Sequence, residues 1–149
     1  MRRYAIKEAR IMLCEGQRLY SEEPVSTPAK AVKVLQALME RLDRENVIVV
    51  TLDNKLKPIH YHTAAVGGLA SAQVDLANIF KAAILDNARS ILLMHNHPSG
   101  DPTASREDFD LTERVIKAGK ILGISCVDHV IIGGAGAWTS LQETTSLFN

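Results

Sequence analysis

The run Ser90-Ile91-Leu92-Leu93-Met94 leads straight into His95-Asn96-His97, then Pro98-Ser99-Gly100-Asp101-Pro102, then Thr103-Ala104-Ser105-Arg106-Glu107-Asp108. No other stretch of the chain restricts the fold so tightly. The apolar run reads as a buried strand over 90–95. Side chains two apart on a strand share a face, so His95 and His97 project together from its C-terminal end. The Pro-Ser-Gly-Asp-Pro segment turns the chain, and the helix that follows can return Asp108 to the same place. Two imidazoles and one carboxylate, with room for water, are the ligand set of a catalytic zinc site. Zinc suits a mixed nitrogen and oxygen set with an open position better than other common metals do.

With 149 residues the chain holds one domain with a real core rather than two. No segment approaches the roughly 20 apolar residues that span a membrane. The basic start Met1-Arg2-Arg3 lacks the apolar stretch of a signal peptide. Lys plus Arg and Asp plus Glu both number 17, so the net charge is zero. That balance does not support a domain built mainly to hold nucleic acid. Cys14 and Cys126 each sit in an apolar stretch with no metal-site spacing. They read as buried, reduced thiols in a cytoplasmic protein.

Residues 9–15 read as an early strand, joined by a polar connector through Ser26, so 1–27 form a strand and connector belonging to the same unit as 28–149. Thr27-Pro28 has the form of a helix start. Val32, Leu35, Leu38, Met39 and Leu42 continue it at helical spacing over 28–43. The β-branched run 47–52 is a central strand. Asp53-Asn54-Lys55 is a turn, 59–66 the antiparallel partner strand, and Gly67-Gly68-Leu69 its end. A helix over 76–87 presents Ile79, Phe80, Ala83 and Ile84 on one face. After strand 90–95 come a helix over 105–122 stopped by Gly123, a strand over 126–132, and a short strand around Trp138. This order predicts an α/β domain, a mixed sheet flanked by helices.

Within the motif several roles remain open. Ser105-Arg106-Glu107-Asp108 has the pattern of a capping box, and an acid bound to metal cannot also reach fully back to the N-cap amide. On composition alone Glu107 or Asp101 can replace Asp108 as the carboxylate ligand. Ser105 is either a helix cap or a hydroxyl that donates to a developing oxyanion. His60 and His62 form a second His-x-His but read as ordinary strand residues. His129 either orients a ligand or fills the core. A zinc hydrolase also needs a carboxylate base. Glu45, just before strand 47–52, is better placed than Glu40, although it also fits a solvated charge at a helix end.

His95, His97, Ser105 and Asp108 meet the spacing His-x-His, seven residues, Ser, two residues, Asp. This spacing resembles the metal-binding signature of the JAB/MPN (JAMM) metalloproteases. The longer string His95 to Pro102, with Asp128-His129-Val130-Ile131-Ile132-Gly133 downstream, resembles the RadC branch of that family. The resemblance runs from about residue 9 to residue 141. It implies a cytidine-deaminase-like α/β/α sandwich with one zinc, held by His95, His97 and Asp108 with water as the fourth ligand. That assignment favours metal binding over capping for Asp108. It further implies that Ser105 steadies the tetrahedral intermediate, that Glu45 is the catalytic carboxylate, and that the reaction is hydrolysis of a peptide or isopeptide bond.

Two features depart from the family pattern. Leu76-Ala77-Asn78 stands where RadC-like proteins usually carry Pro-Arg-Glu, so any supporting or substrate role of that acid does not carry over to Asn78. Full-length members also carry an N-terminal helix-hairpin-helix region, which this chain begins too late to contain, and a DNA role tied to that region does not carry over. The first expectation is a cytoplasmic zinc metallopeptidase with a peptide or isopeptide substrate and no membrane partner. The rival is a non-enzymatic RadC-like module with a structural metal, in DNA repair or mobile-element biology. A zinc deaminase is excluded, since its His-x-Glu and Pro-Cys-x-x-Cys are both missing.

Overall fold

The computed structural model describes residues 1, 3–67 and 74–149. Its framework is one sheet of five strands: β1 (Asn46–Leu52), β2 (Pro58–Val66), β3 (Ser90–Asn96), β4 (Ser125–Ile132) and β5 (Trp138–Ser140), in the order β2-β1-β3-β4-β5. Only β3 and β4 run parallel; the other neighbours are antiparallel. Helix α1 (Pro28–Met39) precedes β1, α2 (Leu76–Leu85) lies between β2 and β3, and α3 (Arg106–Leu122) forms the crossover from β3 to β4. A one-turn helix α4 (Leu141–Thr144) ends the domain. The sheet is mixed and carries helices on both faces, as the sequence predicts. The turn α4 carries no apolar periodicity long enough to signal it in the sequence.

The strand pleat sorts the core into two layers. Ile48 and Val50 of β1, Leu92 and Met94 of β3, and Val130 and Ile132 of β4 pack against Val32, Leu35 and Met39 of α1. Val47 and Val49, with Ile91 and Leu93, pack on the other face against Ile79 and Phe80 of α2 and Leu111 and Val115 of α3. Every residue of β1 and β3 is buried. Burying both faces of β3 places its C-terminal end at the centre of the molecule, beside the N-terminus of α3.

Local chemistry fixes the element ends. Thr27 Oγ1 accepts the Lys30 N–H at 3.3 Å, and Pro28 opens α1. The helix stops at Met39, short of the expected residue 43, because Leu42 N–H turns back to the Met39 carbonyl and directs the chain into β1. Helix α2 stops at Leu85 rather than 87, where Asn87 takes a positive φ. Its Ile84 faces solvent instead of the core. Gly123 closes α3 in the left-handed conformation, φ 73°, with its N–H on the Gly119 carbonyl. Among the described residues no helix is long and apolar enough to cross a membrane. Gly68 and Leu69, expected to end β2, lie outside the described residues.

The N-terminal expectation needs correction. Residues 9–15 form no strand, and Ile11 and Met12 are 74% and 80% exposed. Their apolar character finds neither a ladder partner nor a core. The segment attaches to the domain further on, through Leu19 against the α1 core and Val25 N–H on the Leu56 carbonyl. Cys14 is accordingly exposed rather than buried. Cys126 is half-buried on β4, and burial, reinforced by the Asp128 charge, pushes its thiol up to about 12.

The β1–β2 register shifts between Val50 and Leu52, and a side chain repairs the ladder there. Thr51 Oγ1 accepts the His60 N–H at 2.9 Å and donates to Asp86 Oδ2 at 2.6 Å. His60 and His62 behave as strand residues. His60 Nδ1 meets Asp86 Oδ1 at 2.8 Å, and His62 Nε2 meets the Asn78 carbonyl at 2.7 Å. The Asn78 side chain pairs with Lys81. Replacing Thr51 by Val strands a backbone N–H and deprives a buried carboxylate of a donor. We expect it to destabilise the fold by about 1–3 kcal/mol, measured by urea denaturation.

Candidate metal centre

His95 is the penultimate residue of β3 and His97 follows it by two, so both imidazoles leave the strand on its α3 face. Asp108 is the third residue of α3 and comes to meet them. His95 Nε2 lies 2.9 Å from His97 Nε2 and 3.1 Å from Asp108 Oδ1, while His97 Nε2 lies 3.2 Å from Asp108 Oδ2. Among the described residues this is the group of His, Cys, Asp and Glu side chains placed to hold a metal ion. Four ligands about 2.0 Å from a tetrahedral ion stand roughly 3.3 Å apart, close to these separations. The donor set, two imidazoles and one carboxylate at one point, therefore fits a zinc-sized ion.

Asp108 caps the helix while its carboxylate stays beside both histidines. Its Oδ2 accepts the Ser105 N–H at 2.8 Å, and Asp108 N–H reaches Ser105 Oγ at 3.2 Å, completing the capping box. The same carboxylate still faces both histidines. An ionised carboxylate has about four acceptor positions, so the cap leaves acceptor capacity on the side of the histidines. The other carboxylates are elsewhere. Asp101 turns its side chain onto Thr103, and Glu107 is exposed.

The electrostatics follow from crowding. Burial opposes ionisation of Asp108, but the two imidazoles beside it and the Ser105 N–H outweigh it and hold the carboxyl well below the usual range. The Asp108 hydrogen bond raises His97 above the ordinary imidazole value against the cost of burial, and the charge of Glu45 adds to the rise. His129 is pushed the other way, chiefly by its complete burial and then by His95, and stays neutral. A proton taken up by His97 Nε2 would lie where a cation shared with Asp108 would sit.

The supporting contacts include residues the sequence did not single out. His97 Nδ1–H donates to the Asp101 carbonyl at 2.8 Å, which turns Nε2 toward Asp108. Asn96 points to the opposite face. Its Oδ1 accepts the Asn46 N–H at 2.8 Å, and its Nδ2 donates to the Arg44 carbonyl at 3.0 Å. Those two groups flank Glu45, whose own carbonyl accepts Gly67 N–H. Glu45 thus stands two residues before Val47, the partner of His95 in the β1–β3 ladder. Glu40 instead pairs with Gln36 on the α1 surface. Gly133 lets the motif loop close down, since a Cβ there would lie 2.4 Å from the Gly100 carbonyl oxygen and 2.9 Å from Pro102 Cδ.

Fold and site together define an α/β domain with a candidate His-His-Asp metal centre at the end of its central strand. The chain belongs to the RadC-like JAB domain family, whose profile matches residues 25–146. It is 47% identical over 119 residues to a UPF0758 protein of Caldanaerobacter subterraneus, covering 80% of this chain and 51% of that protein. A UPF0758 protein of Chloroflexus aurantiacus is 40% identical over 120 residues, 80% of this chain and 52% of its own length. One from Thermotoga maritima is 41% identical over 133 residues, 86% and 60% of the two chains. The chain thus spans about half the length of these curated relatives.

Two outcomes test the centre. Purified protein supplied with zinc should hold about one ion per chain by elemental mass spectrometry, and His97→Ala and Asp108→Ala should each lose it. Because a proton on His97 competes with the ion, zinc affinity should fall as pH drops, and the fall should begin above the ordinary imidazole value of about 6.5. Titration with a competing chelator across pH measures it.

Proposed function

We propose that this domain is a zinc-dependent hydrolase of amide bonds, a JAMM-type peptidase or isopeptidase acting in the cytoplasm. The observation that carries the reading is the convergence of His95 Nε2, His97 Nε2 and the Asp108 carboxylate, with Glu45 at the adjacent end of β1. His95, His97 and Asp108 would hold the ion, which supplies a water acidic enough to attack at neutral pH and a Lewis acid for the scissile carbonyl. Glu45 accepts the proton released as the C–O bond forms and delivers it to the amine nitrogen as the C–N bond breaks. The charge of Glu45 is already felt at His97, and the peptide groups on either side of it are fixed by Asn96. Ser105 Oγ accepts the Asp108 N–H, which leaves its own proton free to donate to the oxygen of the tetrahedral carbon.

A peptide or isopeptide is the substrate class this reading requires. A cleft of about 300 Å³ beside His97, lined by Met39, Glu40, Leu42, Asn96, Pro98 and Gly133 among others, offers mixed polar and apolar walls for a substrate chain. The test is turnover of a panel of fluorogenic peptide and isopeptide amides by the zinc-loaded chain. Glu45→Gln should keep its zinc and lose about 10²–10⁴ in rate, and Ser105→Ala about 10²–10³. Full turnover in Glu45→Gln would remove the base assignment. Stoichiometric zinc with no cleavage of any amide would overturn the hydrolase and favour a structural metal.

A further inference from the structure

We infer that Thr112 and His129 act as a tautomer lock on His95, a positioning pair that keeps the His95 Nε2 lone pair turned toward the metal centre. The inference rests on the metal-binding reading above, adds Thr112 to it, and gives His129 a defined partner on each side.

Donor and acceptor accounting drives the assignment. The Asp108 backbone carbonyl can only accept, and Thr112 Oγ1 lies 2.6 Å from it, so the single hydroxyl proton of Thr112 is committed there. Thr112 Oγ1 also lies 2.6 Å from His129 Nδ1. With its proton committed, the hydroxyl accepts, and His129 Nδ1 carries the hydrogen. A neutral imidazole has one N–H, so His129 Nε2 presents a lone pair. His95 Nδ1 is 2.7 Å from that lone pair and must donate to it. His95 Nε2 is then bare, and it is the atom 2.9 Å from His97 Nε2 and 3.1 Å from Asp108 Oδ1. Reversing any link between the Asp108 carbonyl and His95 Nδ1 would set two protons or two lone pairs against each other, whereas the lone pairs left facing at His95 Nε2 and Asp108 Oδ1 call for a cation between them.

Burial makes the chain of bonds decisive. Thr112 and His129 are 0% exposed and His95 is 1% exposed, so water offers no alternative partner. The elements supply the geometry without strain. Thr112 is four residues after Asp108, where a helical hydroxyl reaches back to the preceding turn. His129 is on β4, next to β3 in the parallel register. The contacts run from Asp108 through Thr112 and His129 to His95. The backbone of one ligand residue is thereby tied to the ring of another. Free imidazole samples both tautomers, and the wrong one would point an N–H at the metal position.

The test uses the whole chain, labelled with ¹⁵N in its imidazoles. Long-range ¹H–¹⁵N spectra of the metal-free protein at mildly alkaline pH should show His95 as the Nδ1–H tautomer. Thr112→Val, nearly isosteric but without the hydroxyl, should show a mixture or the reverse, and Thr112→Ser should restore the wild-type pattern. Zinc affinity, read by competition with a chromophoric chelator, should fall about 10–100-fold in Thr112→Val and recover with Ser. An Nε2–H tautomer of His95 in the wild type overturns the inference, whether or not Thr112→Val folds. So does a folded Thr112→Val, by circular dichroism, that binds zinc as the wild type does. A wild type with the Nδ1–H tautomer that takes up no zinc overturns the hydrolase reading instead and leaves the lock in place.

Discussion

The Asp108 carboxylate is the interaction on which the rest of the site depends. Two imidazoles and an acid gathered in a nearly water-free place are unfavourable unless each polar atom is matched. Asp108 supplies much of the matching. It receives the Ser105 amide, which secures the first turn of α3, and it faces both histidines, which secures the end of β3. Removing it would leave the imidazoles without their counter-charge and α3 without half of its capping box. Helix position and site chemistry are thus one structural feature. This is why a capping residue and a member of the candidate metal group coincide in a single short side chain.

Topology explains the location. The crossover β3–α3–β4 is the single parallel connection in the sheet, and in such units the carboxyl ends of the strands lie beside a helix N-terminus. The loop from Pro98 to Ala104 must therefore fold tightly between them. It is held on both sides: His97 N–H bonds the Ile132 carbonyl, and Gly134 N–H bonds the Gly100 carbonyl. Gly133 permits the close approach. The β4–β5 turn is thus part of the site, although it contributes no ligand.

Much of this was legible in the sequence because the relevant signals are local. The period of two in β3 put His95 and His97 on one face, and the capping pattern placed Asp108 three residues into α3. Thr27-Pro28 and Gly123 marked helix ends for stereochemical reasons that act on one or two residues. What failed depended on distant partners. The apolar stretch 9–15 has strand-like composition, but a strand needs a neighbour, and no pattern within the stretch reveals that one is lacking. The partners of Thr112, His129 and Asn96 were hidden for the same reason, since each bonds a group 17 to 52 residues away, and the sequence left His129 open between orienting a ligand and filling the core. The capping pattern at Asp108 was legible as well, and the structure adds that the capping carboxylate stands beside both histidines.

The pleat of β3 gives the motif a second function beyond displaying ligands. Its two histidines point to the α3 side, and the intervening Asn96 must then point to the other. A buried primary amide there has two donors and two acceptor positions to satisfy. One of each is met by the Arg44 carbonyl and the Asn46 N–H, and the Asn46 side chain also bonds the Arg44 carbonyl. Glu45 is caught between these peptide groups, so its backbone is fixed by the same three-residue segment that carries the metal-facing imidazoles. An apolar residue in place of Asn96 would leave buried peptide groups unmatched and free the start of β1 to drift. Ligand positions and the position of the proposed base are thus set by opposite faces of one strand, and any displacement of β3 moves them together.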